Sequence, residues 1–337
     1  MPVLVTGGAG FIGAHLARRL LDAGIETVIL DAFQHVRGPI TDSSFGTELA
    51  YRSRLMAGAK VIRADIRQPS EVDAIVERVR PEVIVHLAAT ALVPVAEAHP
   101  IETQETIVAG TGNLLVAARR CSSVDRFVYV SSSMAYGDFA ASGADEDHPT
   151  QPMNIYGGLK LAGETITRAY LARGRARPVI VRPSGVYGPG DLGGRVVQSF
   201  CEGALAGRPL RLSAHGDSAI DFTWVRDLAD GLYLAATRPN AADETFNLTY
   251  GNARTLDDLI AILRAQVPDL VVEFGSEDAP RPKRGSLDIG KARRLLGYAP
   301  SVTLERGVRQ YLSHFAASHP DWPRFRPAQL HTVSGVG

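Results

Sequence analysis

Val3-Leu4-Val5-Thr6-Gly7-Gly8-Ala9-Gly10-Phe11-Ile12-Gly13 lies near the start of the sequence and decides its fold. A short apolar run ends in glycines spaced three apart, Gly7, Gly10 and Gly13, and an amphipathic stretch follows. This is the first turn of a dinucleotide-binding strand–helix–strand unit. Gly7 permits the tight turn, and Gly10 lets backbone N–H groups approach a pyrophosphate. Gly13 lets the helix lie close on the strand, with its N-terminus facing the anion. The next apolar run, Thr27-Val28-Ile29-Leu30, ends in Asp31 and Ala32. A carboxylate there accepts hydrogen bonds from ribose hydroxyls and repels a 2′-phosphate. The nearest cation, Arg37, lies six residues beyond Asp31, so the pattern selects NAD over NADP.

Bulk composition agrees with a globular α/β chain. The 337 residues suffice for one large domain with a smaller one appended. Lys plus Arg and Asp plus Glu balance at 36 each, without runs of like charge. That argues against a nucleic-acid partner or an anionic membrane surface. No apolar run approaches a membrane span, and Met1 leads directly into the first strand without room for a signal peptide. Cys121 and Cys201 have no metal-ligand spacing and read as ordinary thiols. A soluble cytoplasmic protein is expected.

Outward from the glycine turn, β-branched runs alternate with helical patterns. Strands are predicted at 3–6, 27–31, 60–64, 83–86, 126–131 and 179–182, with helices near 11–23, 70–80, 94–120 and 156–173. This alternation predicts an α/β fold, a doubly wound parallel sheet of Rossmann type with a smaller α/β C-terminal substrate lobe. The segment 32–51 breaks the rhythm and is read as a long loop beside the adenosine. Residues 1–182 form the expected cofactor domain, with a return segment near 214–240. Residues 183–213 and 241–318 form the expected substrate lobe, and 319–337 a tail.

Tyr156-Gly157-Gly158-Leu159-Lys160 carries the chemistry. Positions i and i+4 share one helix face, so phenol and ammonium point the same way. A Lys⁺ beside a tyrosine favours the phenolate, which then accepts a proton from a hydroxyl while the carbon below gives up hydride. Ser131-Ser132-Ser133 follows a buried strand pattern and falls at the carboxyl edge of the sheet, where such folds bind ligands.

With these pieces in place, the chain resembles the extended short-chain dehydrogenase/reductases of the nucleotide-sugar epimerase/dehydratase group. The match runs through 6–13, Asp31, Asp65-Ile66, His86-Leu87-Ala88-Ala89, Ser131–Ser133 with Tyr136-Gly137, and Tyr156/Lys160. It continues through Arg182–Pro189, Asp221–Asp227, Phe246-Asn247-Leu248 and Arg281-Pro282, to about residue 310. The resemblance implies that Asp65 and Ile66 flank an adenine and that Leu87, Ala88 and Ala89 line the cofactor groove beside Phe11 and Ile12. It implies Ser132 as the catalytic hydroxyl, Tyr156 and Lys160 as cofactor contacts as well as catalytic residues, and a homodimer through helices near 103–118 and 155–173.

Departures from the family pattern narrow the reaction. Sugar 4,6-dehydratases of the group carry Asp-Glu after the catalytic hydroxyl, and UDP-glucuronate decarboxylases carry Glu at the second of these positions. This chain has Ser133-Met134, which can supply neither acid nor base. The minimal set that remains supports NAD-dependent 4-epimerisation of a nucleotide-activated sugar or uronic acid through a transient ketone. A dehydrogenase of a sugar acid, aldonate or related alcohol is the alternative. Gly185 stands where UDP-galactose-type epimerases carry a diphosphate-binding Asn, and Ile220 where they carry an Arg. Arg281 matches a diphosphate-binding Arg, and Arg195 falls near another phosphate contact. Ser133, Met134, Gly185, Arg195 and Arg281 are therefore the candidate substrate residues.

Other eye-catching residues read as structural. His86 is a packed histidine, Arg182 fixes a strand-to-loop corner, and Phe222 with Trp224 is core. Asp145-Glu146-Asp147 is a solvated loop, and His99, His148 and His215 lie in loops without metal-ligand spacing.

Overall fold

The computed structural model describes residues 1–34, 42–139, 143–212, 219–275 and 283–319. Its central sheet is formed by β1 (Val3–Thr6), β2 (Thr27–Asp31), β3 (Lys60–Arg63), β4 (Val83–His86), β5 (Arg126–Val130), β6 (Arg177–Arg182) and β7 (Thr245–Asn247). The strand order is β7-β6-β5-β4-β1-β2-β3, and every pairing is parallel. The order reverses at β1, so a crevice opens between the ends of β1 and β4.

Both faces of the sheet are covered, which explains runs that are apolar throughout rather than alternating. Val3, Val5, Val85, Val128 and Val181 face one layer, made by α1 (Phe11–Asp22), α9 (Val225–Thr237) and α11 (Gly290–Leu296). Leu4, Leu30, Ile84, Phe127 and Ile180 face the other, made by α3 (Pro69–Val79), α6 (Gly110–Arg120) and α7 (Ile155–Leu171). A separate core joins α8 (Val196–Ala206), α10 (Leu256–Arg264) and α12 (Leu304–Ser318), with Phe222 and Trp224 inside it.

Three expectations need correction. The segment 32–51 is not all loop, because α2 spans Asp42–Leu55. The helix predicted over 94–120 is broken into α4 (Val93–Ala98), α5 (Pro100–Gln104), a π-type turn over Glu105–Ala109 and α6. Its first break is at His99, which Pro100 drives out of helical geometry. Finally, the 241–318 stretch divides: β7 joins the large sheet, and Ile289, Ala292, Leu296 and Tyr298 pack in its core. Among the described residues no helix is long and apolar enough to cross a membrane.

Candidate active site

The glycine-rich turn runs from β1 into α1, with Gly7 at φ 68°. A β-carbon on Gly7 would lie 2.6 Å from the Ala88 backbone nitrogen, and one on Gly13 would run into the Gly7 carbonyl oxygen. Only bare backbone fits between β1, the β4 end and α1. Helix α1 begins at Gly10 without a side-chain cap. Its first N–H groups are thus left for an anion.

Asp31 braces this turn. Its carboxylate accepts the Ala9 N–H at 2.9 Å and the Phe33 N–H at 2.7 Å. Phe11 is buried, while Ile12 and Ala32 are half-buried. Bare backbone at the turn, an uncapped helix start and an acid at the β2 end fit a dinucleotide. Asp65 is held by Arg67, whose Nη2 donates to it at 2.6 Å, and this pairing keeps the carboxyl below the usual aspartate range. Ile66 turns its side chain against Gly110 of α6, and its carbonyl accepts Asn113 Nδ2 at 2.9 Å. Leu87, Ala88 and Ala89 continue from β4 as a half-buried wall.

Beyond the β5 end the chain forms a short 3₁₀ turn, Ser133–Ala135, capped by Ser132 Oγ accepting the Met134 N–H at 3.2 Å. Helix α7 starts against it, with Asn154 Oδ1 accepting the Gly157 N–H at 2.8 Å. Gly157 is required there, since a β-carbon would stand 2.5 Å from the Met134 carbonyl oxygen. This packing brings Tyr156 to Ser132. Burial pushes the Tyr156 phenol above its ordinary pKa, while the Arg195 cation and hydrogen bonding with Ser132 pull it back.

Lys160 sits one turn further, its Nζ donating to the Val130 carbonyl at 2.8 Å and lying 6.0 Å from the Tyr156 ring centre. Burial lowers its pKa to about 7, partly offset by Glu164. Besides the lysine of the sequence pattern, the Arg195 cation favours the phenolate here. Glu164 is a buried residue that the sequence reading passed over. It pairs with Arg182 through two bonds of 2.9 and 2.7 Å and accepts Ser131 Oγ at 2.5 Å. The signal was available: Tyr156, Lys160 and Glu164 continue one helical stripe at i, i+4 and i+8.

On the opposite wall, Arg195 precedes α8 and donates to Asp191 Oδ1 at 2.5 Å and to the Ala91 carbonyl at 3.2 Å. Ser133 is buried, with its N–H on the Pro183 carbonyl at 2.9 Å. Met134 Sδ accepts Asn154 Nδ2 at 3.7 Å. Gly185 takes φ 52° against Ile220 and Asp221. Arg37, His215 and Arg281 lie outside the described residues. His86 is packed, its Nδ1 at 2.7 Å from Thr6 Oγ1 and its Nε2 at 2.8 Å from Thr111 Oγ1.

Comparison with known proteins agrees with this geometry. Residues 3–251 match the NAD dependent epimerase/dehydratase family. UDP-glucuronic acid decarboxylase 4 of Arabidopsis thaliana is 30% identical, over 93% of this chain and 68% of its own length. The dTDP-glucose 4,6-dehydratase of Salmonella typhimurium is 27% identical, over 94% of this chain and 93% of its own. The structure of UDP-glucuronic acid 4-epimerase from Bacillus cereus, in complex with UDP-glucuronic acid and NAD, superposes with a TM-score of 0.85. It is 28% identical, with 94% of this chain and 99% of that one covered.

Proposed function

The chain belongs to the NAD dependent epimerase/dehydratase family, and within it we propose a 4-epimerase acting on a nucleotide-activated sugar or uronic acid. What stands beside Ser132 carries this reading. Ser133 is buried with its N–H on Pro183, and Met134 ends in a thioether facing Asn154. Neither is a carboxyl group: a serine hydroxyl ionises far above neutral pH and a thioether carries no exchangeable proton, so neither matches the acid/base that the sugar ring would need. Dehydration and decarboxylation need such a group, whereas a redox-neutral inversion needs only the hydroxyl, the phenol and the lysine.

NAD, when bound, supplies the acceptor and donor of hydride. The Tyr156 phenolate takes the proton of the sugar hydroxyl, and Ser132 holds the same oxygen. Lys160, one turn along α7, and Arg195 are the cations assigned to favour the phenolate. After the ketone has turned over in the pocket, Tyr156 returns the proton to the oxygen. Gly7, Gly10, Phe11, Ile12, Gly13, Asp31, Ala32 and 87–89 would hold the cofactor, with Asp65 and Ile66 at its adenine end. Arg195 and Arg281 are assigned to the substrate side, since guanidinium presents paired donors to phosphate or carboxylate oxygens. Assembly as a homodimer through α6 and α7 belongs to the same reading.

Incubation with NAD⁺ and a panel of UDP-, dTDP-, GDP- and CDP-linked sugars and uronates in D₂O tests it. Proton NMR should show a new C4 stereoisomer without deuterium incorporation and without net NADH absorbance. Stoichiometric NADH would make the protein a dehydrogenase. Release of CO₂ or formation of a 4-keto-6-deoxy sugar would overturn the assignment drawn from Ser133 and Met134.

A further inference from the structure

Helix α2 turns an unusual face inward. Ser44, Glu48 and Arg52, at i, i+4 and i+8, are 0%, 0% and 5% exposed. Desolvating such charges costs several kcal/mol per ion before pairing offsets it. Their partners show what the burial achieves. Arg52 Nε donates to the Gly190 carbonyl at 2.6 Å, and its Nη1 to the Ala9 carbonyl at 3.4 Å. Ala9 lies inside the glycine-rich turn, where its own N–H is held by Asp31. Gly190 lies in the loop leading to Arg195, where a β-carbon on it would stand 3.7 Å from the Phe11 ring at the start of α1.

The clasp is completed from both sides. One Glu48 oxygen accepts the Gly190 N–H, and the other pairs with His314 Nε2 of α12 at 2.6 Å. From α1, His15 Nε2 donates to the Pro189 carbonyl at 2.8 Å. The next residue, Asp191, accepts Gly193 N–H at 2.9 Å and Arg195 Nη1 at 2.5 Å. Its second oxygen, Oδ2, is buried and has no hydrogen-bond partner among the described residues. The loop is thus held to the cofactor turn through Gly190 and to Arg195 through Asp191, with one buried acceptor unused between them.

We propose that Arg52 and Glu48 are positioning residues that couple the cofactor turn to the 188–195 loop, so that NAD occupancy at Gly7–Gly13 sets the placement of Asp191 and Arg195. The guanidinium fork makes this possible, because its donors have a fixed separation and a shift of the Ala9 carbonyl is passed to Gly190. This link does not depend on which sugar is the substrate, so it can be probed with NAD alone.

Hydrogen–deuterium exchange of the full chain, with and without saturating NAD, tests the link. In the native protein NAD should slow exchange of the amides at 10–13 and, by about tenfold, of those at 191–195. Arg52→Lys keeps the buried charge but loses the fork. It should retain slowing at 10–13 and lose the NAD-dependent slowing at 191–195. A merely structural Arg52 would change the rates without NAD and leave that increment intact. The paired variant Glu48→Leu/Arg52→Met removes both charges together and should behave like Arg52→Lys. Full NAD-dependent slowing at 191–195 in either variant would overturn the proposal. So would slowing confined to 10–13 in the native protein.

Discussion

Gly185 and Ile220 are in direct contact: a β-carbon on Gly185 would stand 2.7 Å from Ile220 Cγ2, and 2.6 Å from the Asp221 carbonyl oxygen. The two departures from the diphosphate-binding pattern are thus neighbours in space, and the backbone has closed where polar side chains would otherwise project. Gly185 also sits at φ 52°, where a β-carbon costs roughly 1–2 kcal/mol before any clash. Gly185→Ala should therefore lower unfolding stability by about 2–4 kcal/mol. Ile220→Ala should not rescue it, because the Asp221 carbonyl remains. Urea denaturation of the single and double variants decides the matter, and a Gly185→Ala protein of native stability would contradict the contact.

Tyr156 and Ser132 face one another across the start of α7, so removing the phenolic oxygen takes away the proposed acid/base without disturbing the glycine-rich turn. Tyr156→Phe should lose about 10²–10⁴ in kcat. Its affinity for NAD, followed by calorimetry, should stay within about twofold of native, since the glycine-rich turn is untouched. An active Phe variant would remove Tyr156 from the reaction.

Arg195 is the cation that draws the Tyr156 phenol downward against burial. Removing that charge leaves desolvation less opposed, so the phenolate forms only at higher pH. In Arg195→Met the acid limb of the kcat/KM profile should move to higher pH, while Arg195→Lys should hold it closer to native. A limb unmoved in Arg195→Met would mean that the titrating group is not this phenol. Lys160, with a pKa near 7, would then be the group to examine.

Much of this arrangement was legible in the sequence because it follows periodicity and glycine spacing. All six predicted strands of the first half appear in the sheet, and the Tyr156/Lys160 pair falls on one helix face as i, i+4 spacing requires. Helix α2 was not legible, because its inward stripe is Ser44, Glu48 and Arg52. Its apolar residues Phe45, Leu49 and Leu55 form no continuous stripe at 3.6-residue spacing, because Arg52 and Ser53 interrupt it. The seventh strand was missed for the opposite reason: Thr245–Asn247 is too short for its alternation to stand out. The influence of Arg195 on the phenol was not legible, because the 188–195 loop brings it into the site through tertiary structure, which no local spacing encodes.

His15 and His86, both buried, should weaken the fold toward acid. Burial lowers His86 to about 3 and His15 to about 4, from an ordinary value of 6.5. The hydrogen bonds of His86 explain why it stays neutral. Thr111 Oγ1 spends its proton on the Ile107 carbonyl at 2.5 Å, so it accepts from Nε2–H, and bare Nδ1 accepts from Thr6. A proton on Nδ1 would face that hydroxyl's own proton. Because both folded pKa values are depressed, the unfolded chain binds more protons at mild acidity. The stability contribution is full above about pH 6.5 and is lost as pH falls toward 4 and 3. Each histidine should cost about 2 kcal/mol between pH 8 and pH 5. Urea midpoints measured across that range should fall steeply in the native protein and more gently in His15→Gln/His86→Gln. An equally steep fall in the double variant would assign the acid sensitivity to carboxylates instead.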